Sequence, residues 1–218
     1  MTEPHPDQPS DQPDSNPPQP TGEPGQFTQA VRHQQVSALV PESVARGVYA
    51  SGALVFAGPH ELVVDFFQAI ARPHSIACRV ILPPTIVPNV INALKTNLDN
   101  YRNRFGSIPE QPMPNPPPAP PSIDEIYSRF KIPDDVQSGI YANTVMMTHT
   151  HSDFCFDFIT GFYPRSAVAA RVFTTIPQIP RLLQMLTRSF EQWRSRPRPQ
   201  QPPIPPTSSA GEEPPPTA

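Results

Sequence analysis

The chain has 218 residues, 35 of them proline and 9 glycine, with 37% hydrophobic residues, 16% charged residues and a formal net charge of -3. An average soluble domain has about 5% proline and 25% charged residues, so this composition excludes a single uniform globule and a strongly basic nucleic-acid binder. Eight prolines fall in residues 1–26, eight in 107–122 and nine in 196–218, which leaves two blocks of about 60 to 80 residues, each too small for a large enzyme core.

Residues 1–26 contain Glu3, Asp7, Asp11, Asp14 and Glu23, with no Lys or Arg before Arg32. They read as a disordered acidic tail. No apolar leader occurs in the first 25 residues, and the runs Ala53–Ala57 and Leu62–Val64 are far too short to span a bilayer. With two cysteines, Cys78 and Cys155, and no Cys-x-x-Cys, a reducing compartment is expected, so the protein is read as cytoplasmic with no membrane partner.

Residues 27–46 carry Phe27, Val31, Val36, Leu39 and Val40, a pattern for a short strand or helix docking on the module that follows. That module begins with an apolar-rich strand over Val48–Ala57, turns at Gly58, Pro59 and His60, and continues with Leu62–Ile70, where Leu62, Val64 and Phe66 alternate toward a core. A second turn around Arg72–His74 leads to a third strand, Ser75–Leu82, which Pro83 and Pro84 end. Val87, Ile91, Leu94, Leu98, Tyr101 and Phe105 then make one helical stripe, with Thr85 as the N-cap, Pro88 in the first turn and Gly106 as the C-cap.

The proline-rich linker follows, and Ser122–Phe130 reads as a short amphipathic helix, a lid for the second module. The rest repeats the first module at a constant offset of 92 across about 59 positions. Tyr49 matches Tyr141, Asp65 matches Asp157, Arg79 matches Arg171 and Pro88 matches Pro180; Phe154, Phe156 and Phe158 repeat the alternating core positions. Two copies do not make a solenoid, and a three-stranded sheet with one helix buries too little surface to stand alone.

The expected fold is therefore α+β, with two tandem antiparallel β-β-β-α modules forming an intramolecular pseudo-dimer. Its divisions are a disordered tail at 1–26, a first module with its N-terminal extension at 27–106, a linker at 107–122, a second module with a short leading helix at 123–195 and a disordered tail at 196–218.

The strings Val48-Tyr-Ala-Ser and Ile140-Tyr-Ala-Asn, the pairs Asp65-Phe and Asp157-Phe, and Asn97-x-x-x-Tyr101-x-x-x-Phe105-Gly106 resemble a small prokaryotic family of domains of unknown function. Members of that family look like single copies of this module. The second helix departs from the pattern, with Pro197 in place of the final Phe. The resemblance implies module boundaries and carries over no catalytic residue.

Chemistry-bearing residues are few. Asp65 with Arg79 and Asp157 with Arg171 lie on adjacent strands and read as repeated cross-strand ion pairs, each worth about 0.2–1 kcal/mol if exposed; the functional alternative is a repeated acid–base site at the pseudo-twofold interface. His149, His151 and Asp153 can approach one metal if their turn is tight, but a solvated hairpin turn is the simpler reading, and no metal or cofactor is expected. Cys78 and Cys155 read as ordinary buried residues.

The second module concentrates Phe154, Phe156, Phe158, Phe162, Tyr163, Phe173, Phe190 and Trp193, which read as core or else as a base-stacking platform helped by Arg165, Arg171, Arg181, Arg188 and Arg194. No phosphate loop, nucleophile elbow or zinc motif is present, which argues against an enzyme. The expected function is noncatalytic binding or assembly with a protein, itself or another. Single-stranded nucleic-acid binding, by fold-level analogy with PUR-alpha and Whirly proteins, is the alternative, ahead of a chaperone-like holder similar to SecB.

Overall fold

The computed structural model describes residues 38–110, 121–162 and 164–196. The expected tail over 1–26, most of the linker, the segment after Arg196, and Phe27, Val31, Val36, Tyr163 and Pro197 lie outside the described residues. In chain order the elements of the first copy are β1 (Ala38–Leu39), α1 (Glu42–Ala45), β2 (Val48–Ala50), β3 (Gly52–Ala57), β4 (Leu62–Gln68), β5 (His74–Leu82) and α2 (Val87–Phe105). After a short helix α3 (Ile123–Tyr127), the second copy repeats them as β6 (Phe130–Lys131), α4 (Asp134–Gln137), β7 (Ile140–Tyr141), β8 (Thr144–His149), β9 (Asp153–Phe162), β10 (Arg165–Thr175) and α5 (Ile179–Ser195).

In each copy the three long strands form an antiparallel meander, β3-β4-β5 and β8-β9-β10, as the alternating pattern predicts. The predicted strand Val48–Ala57 is two strands, broken at Ser51, because its halves belong to different sheets. β1 and β2 pair in parallel with β10 of the second copy, Ala38 opposite Ser166 and Val48 opposite Val172. β6 and β7 pair in parallel with β5 of the first copy, Phe130 opposite His74 and Ile140 opposite Val80. Each copy thus lends its N-terminal arm to the other copy's sheet, and the described part of the extension, from Ala38 onward, which its sequence places on the first module, pairs with the second instead.

Local sequence explains the arms. Pro41 and Pro133 occupy the N-cap positions of α1 and α4 in extended backbone, and one turn later Gly47 and Gly139 take positive φ, 62° and 72°. These glycines end the helices where a side chain would collide. A Cβ on Gly47 would lie 2.6 Å from the Phe173 ring and 2.8 Å from Cγ of Arg171, and one on Gly139 would lie 3.0 Å from Cγ of Arg79.

The two copies share one core. Phe66 meets Phe156 and Phe158 at ring-centroid distances of 6.1 and 5.6 Å. Leu62, Val64, Phe66, Phe154, Phe156 and Phe158 are all buried, as their alternation requires. The helices cross over as well: α2 packs against β8 and α5 against β3. At the helix ends, the Tyr101 hydroxyl donates to the His151 carbonyl at 2.9 Å and the Trp193 indole donates to the Pro59 carbonyl at 3.1 Å, related contacts across the pseudo-twofold axis.

Two boundary details differ from the sequence reading. Ile86, not Thr85, is the N-cap of α2, and no side chain caps it; Pro88 itself removes one of the amides that a cap would satisfy. Ile108 packs against the core and Arg196 donates to the carbonyls of Gly58 and Ala57, so the packed chain continues past Gly106 and past Ser195.

Candidate functional site

The cross-strand register places Asp65 directly opposite Arg79 and Asp157 directly opposite Arg171, on the outer faces of their sheets. Both pairs are bidentate: Arg79 Nε and Nη2 donate to Asp65 at 2.7 and 2.8 Å, and Arg171 Nε and Nη2 donate to Asp157 at 2.6 and 2.8 Å. The remaining guanidinium nitrogen reaches into the other copy's arm. Arg79 Nη1 donates to the Gln137 carbonyl at 3.1 Å, and Arg171 Nη1 to the Ala45 carbonyl at 3.4 Å, so each arginine also closes the last turn of a borrowed short helix.

The repeated acid and base are therefore a joint between copies. Hydrogen bonding to the carboxylate raises the affinity of both guanidiniums for their protons, which makes neither a proton donor at ordinary pH.

One partner escaped the sequence reading. The predicted helix at Ser122–Phe130 forms as α3, with a complete capping box between Ser122 and Glu125, but it covers the first copy's sheet and not the second module. Its Tyr127 hydroxyl donates to Asp65 Oδ2 at 2.5 Å and accepts from Arg79 Nη2 at 3.2 Å, while its ring packs 5.2 Å from Phe56. Burial, then the neighbouring carboxylate, pushes the Tyr127 pKa above its ordinary value, so the hydroxyl stays a donor.

With this cover Asp65 is 0% exposed, whereas Asp157 is 18% exposed. The repeat gave no signal for Tyr127, because the position 92 residues earlier is Gln35.

A family model described as a protein of unknown function, DUF3467, matches residues 9–110 and again residues 113–197. The chain belongs to this family, as a tandem pair. No curated protein and no solved structure matches it. The DUF3467 joint is repeated in both copies of this chain, and the tyrosine cover is described in one.

The other sequence-selected residues do not converge on the joint. Within the second DUF3467 copy, Arg165 lies exposed at the start of β10, and Arg181, Arg188 and Arg194 are exposed along α5, away from Arg171. Phe154, Phe156 and Phe158 are core and present no stacking platform; Phe162 is exposed and Phe173, Phe190 and Trp193 are half-buried.

His149 is not in a solvated turn. It lies in β8, buried, stacked on Phe154 at 5.5 Å, with Nδ1 lacking a partner; burial, then the charge of Arg104, lowers its pKa. His151 is exposed, with its ring 5.3 Å from Phe105, and Asp153 accepts from the Ser152 hydroxyl.

Among the described residues no group of three or more His, Cys, Asp and Glu could hold a metal ion, and no helix is long and apolar enough to cross a membrane. Cys78 is buried and its thiol is pushed up to about 12 by burial and then Asp65; Cys155, on the outer face, is half-buried and pushed up to about 11 by burial and then Asp157.

Proposed function

We propose that the protein is a noncatalytic binding or assembly module that works in the cytoplasm, with protein, itself or another, as its partner. The observation that carries this reading is a pair of apolar corners related by the pseudo-twofold axis. Tyr49 and Tyr141, at equivalent positions, are each 42% exposed, and Ile70 and Phe162, also equivalent, are 79% and 60% exposed. Tyr141 and Phe162 stack with their planes 3° apart and centroids at 5.9 Å, which presents a rigid aromatic step. Rigid exposed aromatics lose little entropy on contact, and twofold spacing of two such corners suits a symmetric partner. The acid and base that could serve chemistry are instead engaged in the joint, which supports a binding role over an enzymatic one.

Sedimentation across a concentration series, together with quantitative affinity capture from cells of the native source, tests this. Association that falls when Phe162→Lys and Ile70→Lys are combined supports the reading. Association unchanged by them, or none at all, removes it.

The nucleic-acid alternative draws on exposed Arg165, Arg181, Arg188 and Arg194, of which Arg181 and Arg188 share a helix face. Salt-sensitive binding of a mixed-sequence single-stranded pool, weakened by removing those arginines, would favour it over protein assembly.

A further inference from the structure

We infer that the last turn of α2 and the strand β8 beneath it form an acid-opened latch: protonation of His149 releases that helix end from the second copy's sheet while the rest of the fold stays intact. α2 belongs to the first copy and β8 to the second, so the latch is one of the two places where a helix of one copy is fastened to the other copy's sheet. It works whether or not the exposed corners bind a partner.

The geometry at the latch suits a neutral imidazole. The His149 ring stacks on Phe154 of β9 at 5.5 Å, and Tyr101 and Phe105 of α2 close on it at 6.0 and 6.4 Å. His149 is 8% exposed, and its buried Nδ1 has no hydrogen-bond partner among the described residues. Ring faces attract a cation, but that attraction is smaller than the cost of burying a charge without an acceptor.

The charged and titratable neighbours do not repay that cost. From α2 come the Tyr101 hydroxyl, which donates to the His151 carbonyl at 2.9 Å, and the Arg104 guanidinium, whose positive charge opposes a second one. Arg102 pairs with Asp99 on the exposed side of the helix. From the turn comes His151, a second imidazole, with its ring 5.3 Å from Phe105. Asp153 of β9 is exposed and accepts from the Ser152 hydroxyl, so its carboxylate is engaged at the turn.

Moving the helix end relieves the buried charge, because that end is lightly held: Arg102, Asn103 and Arg104 are exposed, and Gly106 ends the helix. Opening breaks the Tyr101 hydrogen bond, uncovers Phe105 and Phe154, and puts the imidazolium in water. The related lock has no such trigger. Ala57 stands at the place of His149, and Arg196 there donates to the carbonyls of Ala57 and Gly58. Acid therefore opens one lock of the pair.

Hydrogen–deuterium exchange of the full-length protein at pH 7.5 and 5.5, with labelling times scaled for the intrinsic pH dependence of amide exchange, tests the latch. The closed site disfavours the proton, and an opened imidazole takes it up near its ordinary 6.5. The open population therefore rises roughly tenfold at about pH 5.5, one unit below that value. Exchange is expected to quicken by that factor in residues 99–106 and 145–150 and to stay unchanged in the equivalent segments 191–196 and 53–58. His149→Phe, which keeps a ring in the site and removes the titration, abolishes the difference, and Arg104→Gln, which removes the opposing charge, narrows it. No local change at pH 5.5, exchange that rises equally in the equivalent segments, or a difference that survives in His149→Phe overturns the latch.

Discussion

The same two residues, in the same register and with the same bidentate geometry, sit in different environments in the two copies. Asp65 is sealed under Tyr127 and Phe56, while Asp157 remains partly in water beside exposed Met146. Sequence identity at the pair therefore does not set its energetic weight; the cover does. A buried carboxylate that loses its partners, or an arginine left without its carboxylate, costs far more than a half-solvated one, because water cannot replace what was removed. One duplicated motif has become a sealed clamp in one copy and a partly solvated pair in the other.

The contrast is broken most strongly by deleting each carboxylate in turn. Asp65→Ala strands Arg79 beneath α3 and is expected to cost about 3–5 kcal/mol, whereas Asp157→Ala costs about 1 kcal/mol or less; equilibrium urea unfolding of the two variants measures the gap. Next in size, Tyr127→Phe removes the hydroxyl from Asp65 and should cost about 1.5–3 kcal/mol. In that background Asp65→Ala should lose part of its penalty, as a double-mutant cycle would show.

Gly47→Ala and Gly139→Ala test the two borrowed arms against each other. Both positions have positive φ and tight neighbours, so each substitution should cost about 1–2 kcal/mol, and unequal costs would show that the two borrowed arms are not equivalent.

The smallest effect is a pH dependence that belongs to the second copy alone, since Ala57 stands where His149 does. Burial depresses the His149 pKa below its ordinary 6.5, so the unfolded chain binds the proton first. Stability from this site is then complete above about pH 6.5 and declines as the pH falls below it. Unfolding midpoints measured from pH 7.5 to 5 should show this decline in the parent and a weaker one in His149→Asn.

Much of this molecule is legible in its sequence. The 92-residue offset gives the duplication, Leu62, Val64 and Phe66 with their counterparts give the core face, and Asp65 opposite Arg79 gives the ion pair. The exchange of arms is not legible, because β1, β6 and β7 are only two residues long and their partners lie over a hundred positions away or in the other copy. Strand pairing at that separation leaves no periodicity to read.

A local trace of the arms does exist. Pro41 and Pro133, Val44 and Val136, and Gly47 and Gly139 keep the same offset, and they mark the short helices α1 and α4. The contact of Tyr127 with Asp65 is hidden for a different reason: its helix reads correctly as amphipathic, with Tyr127 on the apolar face, but amphipathicity does not say which sheet it covers. His149 misled because its neighbours Thr150, His151 and Ser152 form the turn, while the register places His149 itself one step back, against Phe154.

The exchanged arms and the shared core predict that the two copies unfold as one cooperative unit. The sole tryptophan, Trp193, lies in α5 of the second copy where that helix packs on the first, and Asp65 lies in the first copy's sheet. The direct measurement is the urea midpoint of Asp65→Ala followed by Trp193 fluorescence and by far-ultraviolet circular dichroism on the same samples. Interlocked copies predict one transition, displaced equally in both signals from that of the parent. A circular-dichroism transition that moves while the Trp193 transition stays at the parent's midpoint would mean that the copies unfold separately.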